Sequence, residues 1–202
     1  MPSVVSERQE LVTTVMNRIN GIVASGAVER EGLDLIRLAL LELTQRPDLF
    51  TVEHFHPPRD PKRNSNMFEL YRSDGDGSTL YVSIAPAGLT TPVHYHTTWA
   101  VIAGLRGAEF NQFYTRDDAG RPVASNNFIV ENGTAITMMP NDLHSIRIVE
   151  TPDRFFSFHL YGLPLEQATE RMFYVEDSDE WKYFAHRPNI RQFNLATGLA
   201  DG

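Results

Sequence analysis

The sequence contains no cysteine among its 202 residues. This absence excludes disulfide bonds, thiolate zinc sites, iron–sulfur clusters and a cysteine nucleophile, and it is compatible with a reducing compartment. Positive charge is also scarce, because 18 Lys and Arg residues are outnumbered by 26 Asp and Glu residues, which gives a net charge of −8 at pH 7. A chain this acidic is not typical of proteins that bind nucleic acid or an anionic membrane by charge.

Long apolar runs are missing as well. No stretch approaches the roughly 18 consecutive apolar residues of a membrane span, and Glu7 and Arg8 interrupt the start of the chain in a way that is not typical of a signal peptide. We therefore expect a cytoplasmic protein with no nucleic-acid partner and no membrane partner. Hydrophobic residues nevertheless make up 42% of the chain, which is enough to build the core of a single domain over residues 1–202.

Residues 1–50 have the hydrophobic periodicity of α-helices. A first helix is predicted to begin at a capping box formed by Ser6 and Gln9, and its apolar residues recur at helical spacing until Gly26. A second apolar run stops before Pro47. Its apolar face is broad, so we expect this second helix to pack tightly against the rest of the fold.

Short β segments separated by turns dominate residues 66–175. Seven or more short strands with no long helix between them are typical of a closed antiparallel barrel of the jelly-roll type. The predicted fold class is therefore mainly β, a jelly-roll β-barrel preceded by N-terminal α-helices. The predicted strands are Leu80–Ala85, Ala100–Leu105, Ala108–Tyr114, Phe128–Val130, Ala135–Met139, Ser145–Val149 and Phe155–Leu160.

The last segment, residues 176–202, is a tail in which aromatic residues stand in a polar context. These aromatic residues are Trp181, Tyr183, Phe184 and Phe193. We expect the tail to pack on the barrel or to contribute to a contact between copies of the chain, as in a homodimer.

Three histidines form a candidate metal site. His94 and His96 lie two positions apart, so a strand would place both side chains on one face, and His144 follows at the start of another predicted strand. Neutral imidazoles that converge from two strands suit a mid-to-late first-row metal such as Fe, Ni, Cu or Zn. The alternative is that these are ordinary surface or core histidines satisfied by hydrogen bonds.

The residues around these histidines resemble the two motifs of the cupin family, which implies a cupin barrel. Ala100 stands where many cupins have a glutamate ligand, so the resemblance implies a site of three histidines. Glu109 is the alternative carboxylate ligand, although it does not match the motif. The first motif is matched by Gly88, His94, His96 and Gly107, and the second by Gly133, Pro140 and His144, with Asp142 where glycine is common.

Polar and apolar residues alternate strictly along the segment that ends at Tyr161. Ser157, His159 and Tyr161 would share one face of a strand, where each can form a hydrogen bond with the next. Such a relay would hold the Tyr161 phenol near the metal. The alternative is a polar stripe that faces solvent, with the intervening aromatic residues in the core.

The combination of these features resembles the thiol dioxygenases, the cupin branch that contains cysteine dioxygenase and 3-mercaptopropionate dioxygenase. The segment His94–Ile102 and the segment Leu105–Glu109 after it look most like the bacterial mercaptopropionate group. The similarity extends from about Leu70 to Tyr174. The chain lacks the Cys–Tyr crosslink of some cysteine dioxygenases, as the mercaptopropionate group also does.

This resemblance implies an enzyme that contains Fe(II), bound by His94, His96 and His144, and that oxidises a small carboxylated thiol with O2 to its sulfinic acid. The thiol would supply all four electrons, so no organic cofactor is expected. In the same family pattern Ser157 orients His159, His159 orients Tyr161, and the Tyr161 hydroxyl contacts the substrate or O2.

Three further residues are candidates for binding the thiol substrate. Arg171 is the counterpart of an arginine that binds the substrate carboxylate in the mercaptopropionate group, and a guanidinium group suits bidentate carboxylate recognition. Its alternative is an ordinary surface residue on a helix. Arg72 lies near the position of an upstream arginine in cysteine dioxygenases, and Trp99 lies three residues after His96. The implied substrates are 3-mercaptopropionate, a cysteine-like thiol or a doubly acidic thiol such as mercaptosuccinate.

Two other functions remain open at this point. One is a different metal-dependent cupin enzyme, such as another dioxygenase or an isomerase. The other is a cupin without catalytic activity that binds a small ligand. A binding protein should neither consume O2 nor alter its ligand, so oxygen uptake separates these alternatives from a thiol dioxygenase.

Overall fold

Two helices precede the β region in the computed structural model of the protein. They are α1 (Val4–Ala24) and α2 (Arg30–Thr44). The capping box predicted at Ser6 is wrong: the helix begins earlier, because the hydroxyl of Ser3 accepts the backbone N–H of Ser6 at 3.2 Å. The structure describes residues 3–26, 28–58, 65–75, 77–149, 154–184 and 190–200.

The β region consists of short strands arranged in two main sheets and a small hairpin. The larger sheet has the order β12-β11-β1-β2-β8-β3-β6, the smaller sheet has the order β5-β4-β7, and β9 pairs with β10. The strands are β1 (Asn66–Arg72), β2 (Thr79–Ala85), β3 (Ala100–Arg106), β4 (Ala108–Arg116), β5 (Pro122–Glu131), β6 (Ala135–Met138), β7 (Leu143–Ile148), β8 (Phe155–Tyr161), β9 (Met172–Val175), β10 (Glu180–Tyr183), β11 (Ile190–Asn194) and β12 (Leu199–Ala200).

The larger sheet is covered on both faces. Its outer face packs against α1 and α2 in one apolar cluster, which we call the helix-side cluster. Its inner face packs against the smaller sheet in a second cluster, the barrel interior, where Tyr81 and Ile102 contact Val130 and Ile148. Two facing, largely antiparallel sheets are the jelly-roll arrangement, so the predicted fold class is confirmed.

Strand β8 lies at the centre of the larger sheet, between β2 and β3. Phe156, Phe158 and Leu160 point into the helix-side cluster, and the polar residues between them point into the barrel. Ser157, His159 and Tyr161 are only 1%, 8% and 3% exposed. The alternative of a solvent-facing polar stripe is therefore wrong, because both faces of this strand are buried.

The C-terminal tail adds strands that the sequence analysis did not predict. Strand β11 pairs in parallel with β1, with Met67 opposite Ile190, and β12 continues the same sheet beyond β11. The hairpin of β9 and β10 lies over the histidine-bearing segment, because Phe173 forms a bridge with His94.

Neither helix in the described part of the chain has both the length and the apolar character needed to cross a bilayer.

Candidate metal centre

The backbone itself brings His94 and His144 together. The N–H of each residue donates to the carbonyl of the other, at 2.9 and 3.0 Å. His96 follows on the same side two residues later, and the chain then turns sharply at Thr97, whose φ of 60° is unusual for a β-branched residue. The candidate ligand nitrogens of the three histidines all lie within 4.8 Å of one another.

The turn before His144 is closed by the side chain of Asp142. Its carboxylate accepts the backbone N–H of Met139 at 2.9 Å. Its own N–H donates back to the Met139 carbonyl at 3.0 Å. The side chain of Asp142 therefore stabilises the turn that leads into β7.

Hydrogen bonds determine which ring nitrogens of two histidines are free. The Nδ1 atom of His94 lies 3.0 Å from the Pro92 carbonyl oxygen, which can only accept, so this Nδ1 carries the proton. The Nδ1 atom of His144 lies 3.0 Å from Oδ1 of Asn111, which also accepts. Both rings are thereby left with an unprotonated Nε2, the form of imidazole that binds metals.

The arrangement of these nitrogens fits a bound cation. Nε2 of His96 lies 3.1 Å from Nε2 of His144, and the other nitrogen of His96, Nδ1, is buried with no hydrogen-bond partner among the described residues. A proton on Nε2 of His96 would bridge this pair, whereas a proton on Nδ1 would leave both Nε2 lone pairs free for a metal ion. Three imidazoles suit Fe(II), Zn(II), Cu(II) or Ni(II) rather than a hard cation such as Mg²⁺ or Ca²⁺.

Burial keeps these histidines neutral. Desolvation lowers the pKa of His94 to about 4, and the hydrogen bond to Pro92 partly opposes this shift. Desolvation also lowers the pKa values of His96 and His144 well below their usual range, and the neighbouring histidines add to the effect. Neutral imidazoles are the form that a metal requires.

A cavity of about 240 Å³ leads to the histidines. Its walls are mostly apolar, which limits the access of water to the site. The ionisable side chains in these walls, besides His94 and His96, are His159, Tyr161, Arg171 and Glu109, and four hydroxyl residues join them: Ser65, Ser83, Thr90 and Thr91. The apolar wall residues include Met67, Leu89, Ile146, Ile148, Phe155, Leu165 and Phe184.

Ser157, His159 and Tyr161 form a continuous chain of hydrogen bonds. Oγ of Ser157 lies 3.0 Å from Nε2 of His159, and Nδ1 of His159 lies 3.0 Å from the Tyr161 hydroxyl. Desolvation lowers the pKa of His159 to about 4 and raises the pKa of Tyr161 above its usual range. At neutral pH the imidazole is therefore neutral and the phenol protonated, and either tautomer of His159 satisfies the chain.

Arg171 contributes a positive charge to the cavity wall. Its Nε donates to the Ala168 carbonyl at 3.1 Å, and its guanidinium group lies 5.1 Å from the centre of the Phe184 ring. Desolvation lowers its pKa, although an arginine remains charged at neutral pH. Within the described ranges no carboxylate forms an ion pair with Arg171, so its charge is available to an anionic ligand.

Two of the residues predicted to bind the substrate, Arg72 and Trp99, lie outside the cavity lining. Arg72 is not among the described residues that line the cavity, because its guanidinium group is ion-paired with Glu69 at 2.6 Å and with Glu166. Trp99 also lies elsewhere, since its ring packs against the helix-side cluster. Gly162 makes room for this ring, because a Cβ at that position would lie 2.4 Å from Nε1 of Trp99.

Glu109 lines the cavity but is not part of the ligand group found among the described residues. Its Oε1 atom accepts the side-chain N–H of Asn111 at 2.8 Å. Burial raises the pKa of the Glu109 carboxyl to about 7, and the hydrogen bond from Asn111 partly opposes this shift. Glu109 therefore contacts the histidine site through Asn111.

Sequence reasoning missed Asn111 and Phe184. Asn111 stands two residues after Glu109 on β4, so strand alternation places both side chains on the same face, and this pattern could have indicated it. Phe184 follows the tail hairpin, and its ring lies edge-on to His94 with 5.9 Å between the ring centres. The sequence of the tail carries no signal for that contact, which depends on how the hairpin folds over the barrel.

No protein-family model matches the chain. A region comprising 58% of the chain is similar in structure to the DMSP lyase DddQ from Ruegeria pomeroyi DSS-3, with 19% identity and a TM-score of 0.43, and it spans about half (55%) of that protein. An RmlC-like cupin protein from Ralstonia eutropha JMP134 is 14% identical over 63% of this chain and 71% of its own, with a TM-score of 0.43. Oxalate decarboxylase from Bacillus subtilis is 15% identical over 44% of this chain and 21% of its own, with a TM-score of 0.35. These likenesses concern the barrel fold alone.

Proposed function

We propose that this protein is a non-haem Fe(II) thiol dioxygenase. It would oxidise a small carboxylated thiol, such as 3-mercaptopropionate or a cysteine-like thiol, with O2 to the sulfinic acid. The reaction balances without a further reductant, because RSH and O2 together contain all the atoms of RSO2H. Iron(II) at the three histidines would supply the redox chemistry that joins both oxygen atoms to sulfur.

One observation carries the proposal. The cavity of about 240 Å³ is lined by the His94 and His96 imidazoles, by the Tyr161 phenol at the end of its hydrogen-bond chain, and by the guanidinium group of Arg171. The motif resemblance to thiol dioxygenases rests on the same histidines and on the same Ser157–His159–Tyr161 pattern. The cavity thus brings together the residues on which the motif resemblance rests and adds Arg171 to them.

Arg171 is the candidate group for binding the carboxylate of the substrate. Arg171 is partly buried, its guanidinium group has no anionic partner among the described residues, and removing a charge from water without a partner is costly. A substrate carboxylate would remove this cost through two charge-assisted hydrogen bonds. A thiol with a short chain, anchored at Arg171, would then direct its sulfur towards the histidines.

Tyr161 is the candidate group for holding a proton near the reacting sulfur and O2. When Nδ1 of His159 donates to the phenol oxygen, Ser157 donates to Nε2, and the phenol proton is free to form a hydrogen bond into the cavity. Burial keeps the phenol protonated. The apolar walls around it exclude water that would otherwise compete for this hydrogen bond.

Oxygen uptake tests the proposal directly. Protein loaded with Fe(II) is offered 3-mercaptopropionate, cysteine, mercaptosuccinate and cysteamine in parallel, and the products are identified by mass spectrometry. We expect uptake with at least one carboxylated thiol and a matching amount of its sulfinate. Cysteamine lacks a carboxylate and should react more slowly.

Protein kept free of metal is the matched control and should consume no O2. If protein shown to contain iron consumes O2 with none of these thiols, the proposal is wrong. The site would then belong to another metal-dependent reaction or to a ligand-binding protein.

A further inference from the structure

A second chain of buried polar groups approaches the metal candidate His144 from the side opposite its Nε2. It consists of Glu109, Asn111 and His144, which are 2%, 0% and 0% exposed. Nδ2 of Asn111 donates to Oε1 of Glu109 at 2.8 Å, and Oδ1 of Asn111 lies 3.0 Å from Nδ1 of His144. Neither Glu109 nor Asn111 belongs to the ligand group itself.

The orientation of the Asn111 amide decides which nitrogen of His144 is free. An amide has an oxygen that accepts and a nitrogen that donates, and the two ends have nearly the same shape. With the oxygen towards His144, Nδ1 must carry the proton and Nε2 keeps its lone pair. With the amide reversed, Nδ1 would have to accept, the proton would lie on Nε2, and His144 could not bind a metal.

Glu109 favours one of the two orientations of the Asn111 amide. The Oε1 atom of its carboxyl group can accept from the Asn111 nitrogen whether the group is ionised or protonated on the other oxygen. Whenever Oε1 carries no proton, a reversed amide would place the Asn111 oxygen against Oε1, with two acceptors in contact. Burial makes such an unpaired contact costly, so the carboxyl group favours one orientation of the amide.

We infer that Glu109 is a positioning residue that acts through Asn111 to fix His144 in the tautomer able to bind a metal. This inference rests on the metal site of the proposed function, but it concerns the protein's own protons and can be measured without metal. It also gives Glu109 a role other than the ligand role considered from the sequence. Outer groups of this kind typically change metal affinity by about 10- to 100-fold.

The test uses Glu109→Gln in the full-length protein. A glutamine can accept from Asn111 or donate to it, so both orientations of the amide become available. In metal-free protein labelled with ¹⁵N-histidine, NMR should show His144 as a single Nδ1–H tautomer in the unsubstituted chain and as a mixture in Glu109→Gln. A titration with Co(II) alone, followed by its visible absorption, should show affinity reduced by about tenfold.

A second substitution makes the test specific. In Asn111→Asp the side chain can only accept at neutral pH, so it fixes Nδ1–H on His144 whatever residue stands at position 109. The double variant Glu109→Gln with Asn111→Asp should therefore recover both the single tautomer and the Co(II) affinity. Glu131→Gln, an exposed change on β5, is the matched control and should change neither.

Three results would overturn the inference. They are an unchanged His144 tautomer in Glu109→Gln, an unchanged Co(II) affinity in that variant, and failure of the double variant to recover the signals while its circular dichroism is native. Absence of Co(II) binding in the unsubstituted chain would instead count against the proposed function. The tautomer measurement would still decide the role of Glu109.

Discussion

The two faces of strand β8 are buried to a similar degree, yet they are built from different chemistry. Phe156, Phe158 and Leu160 face α1 and α2, where they need only close packing. On the other face every polar atom needs a partner, because burial without one costs free energy. The helix side can be expected to dominate stability and the cavity side to dominate function.

The hydrogen-bond chain on the cavity side illustrates this difference. His159 is buried and each of its ring nitrogens has a hydroxyl partner. The guanidinium group of Arg171, by contrast, has no anionic partner among the described residues, so this wall of the cavity has capacity for an anionic ligand. The cavity side thus combines paired polar groups with one unpaired charge, whereas β8 presents only apolar side chains to the helices.

The largest effect is expected on the cavity side, from His94→Ala. Loss of one of three ligands should remove iron from the protein, because two imidazoles hold the ion far more weakly. The iron content after anaerobic loading and desalting measures this. Full iron occupancy in the variant would contradict the assignment of His94, and an unchanged thermal unfolding midpoint would show that the fold is intact.

On the helix side, Phe158→Ala should have the largest effect on stability. The Phe158 ring is fully buried and packs edge-on against Phe50, with 4.8 Å between the ring centres. Its removal should lower the free energy of unfolding by about 3–5 kcal/mol, measured by urea denaturation. The folded variant should still bind iron. A loss below about 1 kcal/mol would mean that this face does not dominate stability.

Substitutions of Arg171 and Arg72 test the role of the positive charge in the cavity, because of these two arginines only Arg171 lines it. Arg171→Gln should raise the KM for a carboxylated thiol by about 10- to 100-fold, since a charge-assisted interaction contributes about 1.5–3 kcal/mol. Its effect on turnover of cysteamine should be small. Arg72→Gln is the matched control, and the same KM in both variants would count against Arg171 as the carboxylate-binding residue.

The smallest of these effects is expected for Tyr161→Phe. This change removes one hydroxyl and leaves the ring in place, so iron should be retained. We expect kcat to fall about tenfold, which corresponds to the loss of one hydrogen bond worth about 1.4 kcal/mol, with little change in KM. Unchanged kinetics would rule out a role for the hydrogen-bond chain in turnover.

Much of the barrel could be predicted from the sequence because its strands are short, alternate in polarity and end at turn residues. The strand at Leu80–Ala85 and the strand at Phe155–Leu160 were predicted almost to their observed ends. The spacing of His94 and His96 was informative for the same reason, since local alternation sets the direction of side chains. Features that depend on local periodicity are the ones that sequence reasoning found.

Features that depend on distant contacts were missed. Arg72 was a candidate for binding the substrate, but its guanidinium group is paired with Glu166, which lies far away in sequence. Trp99 follows the histidine pair, but the start of β3 directs its ring towards the helices. Neither the partner of a long side chain nor the face of a residue at a strand end follows from periodicity.

The parallel pairing of β11 with β1 has a consequence for how the chain folds. Met67 pairs with Ile190, which lies more than 100 residues later in the sequence. Contacts between residues so far apart in sequence slow folding. Until residues 190–194 have been synthesised, the outer edge of β1 has no strand to pair with, and such edges promote aggregation. During translation, this edge of β1 should therefore stay accessible to chaperones until β11 has left the ribosome.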